Sequence, residues 1–130
     1  MPTNEQINEL NHEGVMLCKQ VWKNSALWKE HYEKAISMFQ DALGIDENNP
    51  VTLTNLGTAL SDSGKHKEAL EFLRKAEELG YKDGNLFYAI GVALVNTNAN
   101  TDQARQYFKL SQEVDKNAYT FQAYFDPHGH

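Results

Sequence analysis

The chain has 130 residues, of which 41% are hydrophobic and 23% charged, and its formal net charge at pH 7 is −6. This length is typical of a single domain that can bury an ordinary core. The excess of acidic residues disfavours nucleic acid and anionic membrane surfaces as partners, because both repel negative charge.

The amino terminus, MPTNEQINEL, has no basic segment followed by an apolar run, and no apolar stretch is long enough to span a bilayer. Cys18 is the single cysteine, so no internal disulfide can form, which is typical of a reducing compartment. We therefore expect a soluble, cytoplasmic protein.

Short sequence patterns recur at intervals of 34 or 35 residues. Gly57 and Gly91 are 34 residues apart and lie in the similar segments LTNLGTAL and LFYAIGVAL. An earlier segment, INELNHEGVML, places Gly14 in a comparable setting. Alanine recurs at the same interval further along the chain, at Ala35, Ala69 and Ala104. Such a period indicates a chain of stacked structural repeats.

This pattern resembles the tetratricopeptide repeat, a helix–turn–helix unit of 34 residues that stacks into a right-handed superhelix. The resemblance covers about residues 4–116 and implies an all-α, right-handed α-solenoid of three repeats within one domain, 1–130. It predicts repeats at about 4–49, 50–83 and 84–118, a short capping helix at 119–126 and a tail at 127–130.

Gly57 lies inside a predicted helix, where glycine costs roughly 1 kcal/mol relative to alanine. In stacked helical hairpins, two helices must approach closely, and small residues at the crossing permit that approach. We therefore expect Gly57 to serve helix packing.

The first repeat is longer than the others. Gly14 and Ala35 are 21 residues apart, against 12 for the matching pair in the second repeat, so nine additional residues lie near QVWKNSALWKEHY. We expect both helices of the first hairpin to be about 4–5 residues longer, with Asn24 or Ser25 as an N-cap. Trp22 and Trp28 are then at the tip, where they form either an apolar clasp or an exposed binding patch.

The carboxyl-terminal segment, NAYTFQAYFDPHGH, begins a fourth unit and is cut short at Pro127. Phe121 and Phe125 share one helix face, which predicts a cap on the last hairpin. The alternative is insertion into a second copy to form a homodimer. His128 and His130 alone are too few to define a metal site, so no metal is predicted.

Repeat proteins of this type bind partners on the concave face lined by the first helix of each unit. Helical spacing places small, neutral and amide side chains on that face, which suit a peptide backbone. The peptide-groove candidates are Asn8, Asn11, His12, Val15, Thr54, Asn55, Thr58, Asn85, Tyr88 and Val92, with Cys18, Ser61, Ala89 and Val95 on the same face.

One subgroup of the family grips the acidic tails of heat-shock chaperones with a clamp of Lys, Arg and Asn. The matching positions here are Asn11, Val15, Asn55, Asn85 and Ala89. Only Asn55 fits, and no cation is present to pair with carboxylates. The sequence therefore disfavours binding of a chaperone tail.

No phosphate loop, metal-ligand spacing or nucleophile elbow occurs, so neither an enzyme nor a cofactor is predicted. The sequence favours an adaptor or scaffold that binds a peptide segment of another protein. The alternatives are a module that self-associates through Trp22 and Trp28 or through its aromatic carboxyl-terminal segment, and a secretion chaperone built from three repeats.

Overall fold

A computed structural model describes residues 4–97 and 101–114, which contain six α-helices, one 3-10 turn and no strand. The helices are α1 (Asn4–Lys23), α2 (Trp28–Ile45), α3 (Pro50–Asp62), α4 (His66–Glu78), α5 (Gly84–Asn96) and α6 (Thr101–Val114). The predicted all-α class is confirmed.

The helices pair in chain order and the pairs stack. α1 packs on α2, α3 on α4 and α5 on α6, while α2 contacts α3 and α4 contacts α5. The first helices also touch one another, α1 against α3 and α3 against α5. Within the described ranges the backbones of the second helices, α2, α4 and α6, do not approach one another in this way, and α6 reaches α4 through the long Tyr107 side chain, which bonds to Glu77. The first helices therefore form the inner layer of the stack, as in a helical solenoid.

Local sequence signals fix where the helices begin and where the chain turns. The Asn49 side chain accepts a hydrogen bond from the Thr52 backbone N–H, and Pro50 occupies the first turn of α3. Gly64 connects α3 to α4 with a φ of +93°, a conformation that glycine adopts without strain. Asp83 caps α5 by accepting from the backbone N–H groups of Asn85 and Leu86.

Each of the three helix pairs has a glycine at its closest approach. A β-carbon at Gly57 would lie 2.5 Å from Leu73 Cγ. The same construction at Gly14 meets the Phe39 ring at 2.4 Å, and at Gly91 the Phe108 ring at 2.6 Å. The prediction that Gly57 serves packing is confirmed, because no larger side chain fits at the crossing.

The first hairpin extends past the other two, in agreement with its additional residues. α1 has 20 residues and α2 has 18, whereas α3, α4 and α5 have 13 each. A 3-10 turn, Ser25–Leu27, joins α1 to α2. Of the two predicted caps it is Asn24 that acts, accepting from the Ala26 backbone N–H at 3.2 Å, and it caps this turn rather than α2 itself.

The predicted cap with Phe121 and Phe125, and the tail with His128 and His130, lie outside the described residues. The division into repeats at 4–49, 50–83 and 84–118 stays a prediction, and the first helices begin at Asn4, Pro50 and Gly84.

Candidate functional site

A buried hydrogen-bond network joins two of the four amides predicted to line the groove, those of Asn11 and Asn55. Asn11 donates from Nδ2 to Thr52 Oγ1 at 2.8 Å and to the Ile7 carbonyl at 3.0 Å. Asn55 donates from Nδ2 to Asn11 Oδ1 at 2.9 Å. Asn11 is 1% exposed and Asn55 is 0% exposed. These side chains therefore connect α1 to α3, and their amide groups bond inside the protein.

Other predicted groove residues are also buried on the inner helices. Thr54 donates from Oγ1 to the Pro50 carbonyl and Thr58 to the Thr54 carbonyl, both at 2.8 Å. These bonds satisfy the hydroxyl donors within α3. The remaining buried members of the predicted face are Val15, Cys18, Ser61 and Ala89. Helical spacing predicts that these residues share one face, but it does not indicate that neighbouring groups bury their side chains.

The accessible part of the predicted groove lies on α1 and α5. Asn8 is exposed, whereas His12, Asn85, Tyr88 and Val92 are half-buried. The Tyr88 ring also contacts the Phe108 ring, with a centroid distance of 5.6 Å, which fixes its position. Together these side chains offer amide hydrogen bonding beside aromatic and aliphatic surface.

A shallow depression of about 310 Å³ adjoins this face at α1. It is lined by His12, Glu13, Met16, Leu17, Gln20 and Met38. His12 belongs to the predicted groove, whereas the two methionines were missed because isolated methionines on a helix carry no specific sequence signal. A second depression of about 480 Å³ lies at the turn between α3 and α4, around Lys65 and His66.

The tip of the first hairpin displays its two tryptophans. Trp22 is 42% exposed and Trp28 is 50% exposed, so the structure does not enclose the indoles as a clasp would. The Tyr32 hydroxyl, near the Trp22 side chain, donates to Asp62 at 3.4 Å.

Two tyrosine hydroxyls link neighbouring helix pairs. Burial and the nearby Asp62 carboxylate raise the pKa of Tyr32 well above its ordinary value. Tyr107 donates to both carboxylate oxygens of Glu77, at 2.9 and 3.0 Å, and burial together with this contact raises its pKa. Both hydroxyls therefore stay protonated at neutral pH and serve as structural donors.

The described part of the chain has neither a cluster of metal-ligand side chains nor a helix that could span a membrane. In residues 4–97 and 101–114 no cluster of three His, Cys, Asp or Glu side chains could hold a metal ion. None of the six helices is long and apolar enough to cross a bilayer.

Stacked helical hairpins with a shared inner layer define a helical-repeat protein. The sequence profile of the tetratricopeptide repeat family matches residues 29–82, and the chain belongs to that family. Members of the family are protein–protein interaction modules, and the chain is such a module.

Several characterised proteins are similar in sequence. The heat-shock protein cognate co-chaperone sgt12 of Aspergillus fumigatus is 30% identical over 94 residues, which is 72% of this chain and 27% of the co-chaperone. The small glutamine-rich tetratricopeptide repeat-containing protein 2 of Mycosarcoma maydis is 28% identical, covering 71% of this chain and 26% of the relative. The photosystem I assembly protein Ycf3 of Acaryochloris marina is 27% identical, covering 68% and 58%. The chain thus spans about a quarter of the first two relatives.

Proposed function

We propose that the chain acts as an adaptor that binds a peptide segment of a partner protein on the inner face formed by α1, α3 and α5. The observation that carries this proposal is the set of accessible side chains on that face: Asn8, His12, Asn85, Tyr88 and Val92. Amides can both donate to and accept from a peptide backbone, while Tyr88 and Val92 offer apolar contact.

The buried amides have a different role in this proposal. Asn11 and Asn55 set the distance between α1 and α3 through their mutual hydrogen bond. They are positioning residues for the face, so their substitution acts on partner binding through the fold. Val15, Thr54 and Thr58 belong to the same buried support.

Sequence similarity to a co-chaperone is not sufficient to infer that this chain binds a chaperone. The five clamp positions, Asn11, Val15, Asn55, Asn85 and Ala89, include no Lys or Arg, and all but Asn85 are buried. A peptide with two carboxylates would find no cation there. We therefore propose that the partner segment on this face is neutral.

A peptide library tests the inner face directly. Phage-displayed random 12-residue peptides would be enriched on the full chain, and one enriched peptide would be titrated by fluorescence anisotropy. Asn85→Asp and Val92→Glu should each weaken its binding at least tenfold, because they place a carboxylate on a face selected for neutral contacts. Glu71→Ala, on the exposed side of α4, is the control. Equal affinity in all three variants would refute the proposed face.

Self-association is the second candidate, and the exposure of Trp22 and Trp28 favours it. In this alternative the tips of two copies pack together, and the carboxyl-terminal segment with Phe121 and Phe125 is the other predicted contact. Sedimentation over a hundredfold range of concentration distinguishes the two functions. A constant mass near 14.8 kDa would exclude the homodimer, and a rising mass abolished by Trp28→Ala would favour it. A cytoplasmic location and the lack of enzymatic activity stay predictions.

A further inference from the structure

The two exposed tryptophans continue the buried stripes of their helices. On α1, Trp22 follows Cys18 by four residues, and exposure rises from 0% at Cys18 to 42% at Trp22. On α2, Trp28 precedes Tyr32 by one turn, and exposure rises from 6% at Tyr32 to 50% at Trp28. Both tryptophans therefore extend rows of side chains that are covered elsewhere in the stack.

These rows of side chains become exposed at the tip of the first hairpin because α3 is too short to reach it and cover them. Tyr32 contacts Asp62, the last residue of α3, through its hydroxyl. Trp28 lies one helical turn, about 6 Å, further towards the tip, where α3 provides no partner. The additional residues of the first repeat thus carry large apolar side chains out past the second hairpin.

The same tip is locally basic in an acidic chain. Between Gly14 and Lys29 the sequence has three lysines and no Asp or Glu, although the net charge of the whole chain is −6. Lys23 and Lys29 are exposed. Lys23 suits the negative end of the α1 dipole, but Lys29 lies in the first turn of α2, where the helix dipole disfavours a cation. Helix stability therefore does not explain Lys29.

We propose that this tip, Trp22–Lys29, is a second protein-binding surface, which takes an internal acidic segment of a partner that carries a large apolar side chain. Tryptophans are the side chains most often found at the energetic centre of interfaces, and the apolar side chain would cover their exposed indoles. The lysines at the rim would pair with carboxylates and steer association. The recognised segment needs no free carboxyl terminus, and the inner face takes no part.

The protein offers a built-in probe, because Trp22 and Trp28 are its only tryptophans. The ligand probe is the carboxyl-amidated peptide Asp-Glu-Asp-Phe-Asp-Leu-Glu-Asp-Glu. One matched peptide has Ser in place of Phe and Leu, and another has Lys in place of every acidic residue. Titration of the full chain with the first peptide should shift tryptophan emission to shorter wavelength, and neither matched peptide should do so.

Variants then localise the effect by fluorescence anisotropy of the labelled peptide. Trp28→Ala should weaken binding at least tenfold, and Lys29→Glu about fivefold with a reduced dependence on salt. The controls are Leu79→Ala, which removes another exposed apolar side chain, and Lys82→Glu, which makes the same charge change on the opposite edge. Thermal denaturation followed by circular dichroism confirms that each variant is folded.

Several results would overturn the proposal. One is equal affinity for Trp28→Ala and Leu79→Ala, or for Lys29→Glu and Lys82→Glu. Another is an emission shift with phosphatidylserine–phosphatidylcholine vesicles but none with the peptide, which would indicate a membrane contact. A third is a shift that depends on protein concentration without any peptide, which would indicate a second copy. Because these readouts do not involve Asn85 or Val92, their failure leaves the proposal for the inner face unaffected.

Discussion

Gly57 and Leu73 lie so close together that only a hydrogen fits between the α3 backbone and the Leu73 side chain. A β-carbon at position 57 would be 2.5 Å from Leu73 Cγ and 3.1 Å from the Ala69 carbonyl oxygen. Leu73 is fully buried, so it has no space into which to move. The equivalent glycines, Gly14 and Gly91, face phenylalanine rings in the same way. The same close contact therefore recurs in each of the three helix pairs.

Gly57→Ala should therefore lower the free energy of unfolding by about 1–2 kcal/mol, because overpacking exceeds the gain in helix propensity. Gly44→Ala is the matched control, since nothing lies within 4 Å of a β-carbon there. That change should raise the free energy of unfolding by up to about 1 kcal/mol. Urea denaturation measures both, and stabilisation by Gly57→Ala would contradict the packing explanation.

Asn11→Ala should lower the free energy of unfolding by about 1–3 kcal/mol, because it leaves the Asn55 amide and the Thr52 hydroxyl without their shared partner. Asn8→Ala is the control on the same helix: Asn8 is exposed, and its substitution should change the free energy by less than about 0.5 kcal/mol. If the two variants had equal stability in urea, the buried network would have no structural role.

Alkaline pH should destabilise the fold through its buried tyrosines. Burial raises the pKa of Tyr32, and burial with Asp83 raises the pKa of Tyr81 to about 12, whereas an unfolded tyrosine titrates near 10. Above pH 10 the folded state keeps tyrosine protons that the unfolded state releases. The contribution of these tyrosines to the free energy of unfolding is therefore complete below pH 10 and is lost progressively above it. Each such tyrosine contributes a fall of up to about 1.4 kcal/mol per pH unit.

Tyr32→Phe isolates one of these contributions. At pH 7 the variant should be about 1 kcal/mol less stable than the wild type, because the hydrogen bond to Asp62 is lost. Since phenylalanine cannot ionise, the difference should shrink above pH 10 and vanish near pH 11. Urea unfolding at pH 7, 10 and 11 measures the difference in the free energy of unfolding between wild type and variant. A difference that did not change with pH would show that Tyr32 has the same pKa in the folded and unfolded states.

Gly64→Ala should cost about 1 kcal/mol, since the φ of +93° at this turn strains any residue with a β-carbon. Space does not limit this position, because nothing lies within 4 Å of a β-carbon built there. Gly64→Asn should restore part of the loss, since asparagine tolerates positive φ better than alanine. Melting temperatures that rank Asn below Ala would argue against backbone strain as the cause.

The repeating architecture could be predicted from the sequence because close helix crossings require small residues at fixed intervals. Gly57, Gly91 and Ala69 revealed that interval without any knowledge of the partner helices. The long first hairpin was likewise evident from the spacing between Gly14 and Ala35.

Which side chains of the inner face are buried and which are exposed could not be predicted in the same way. Helical spacing assigns Asn11 and Asn55 to one face, but their mutual bond depends on how α1 and α3 lie against each other, 44 residues apart in sequence. The exposure of Trp28 depends on where α3 ends relative to α2, which is also a property of the assembled stack. Asparagine and tryptophan occur both in buried networks and at binding surfaces, so residue type alone left both alternatives open.

Chemical-shift mapping provides residue-by-residue evidence on the claim that a partner segment binds the inner face. The enriched library peptide would be titrated into the ¹⁵N-labelled full chain, with backbone amides observed individually. We expect the largest changes on α1 around Asn8 and His12 and on α5 from Asn85 to Val92, with little change on the exposed sides of α4 and α6. Changes confined to those outer sides, or to the tip around Trp28, would contradict the claim.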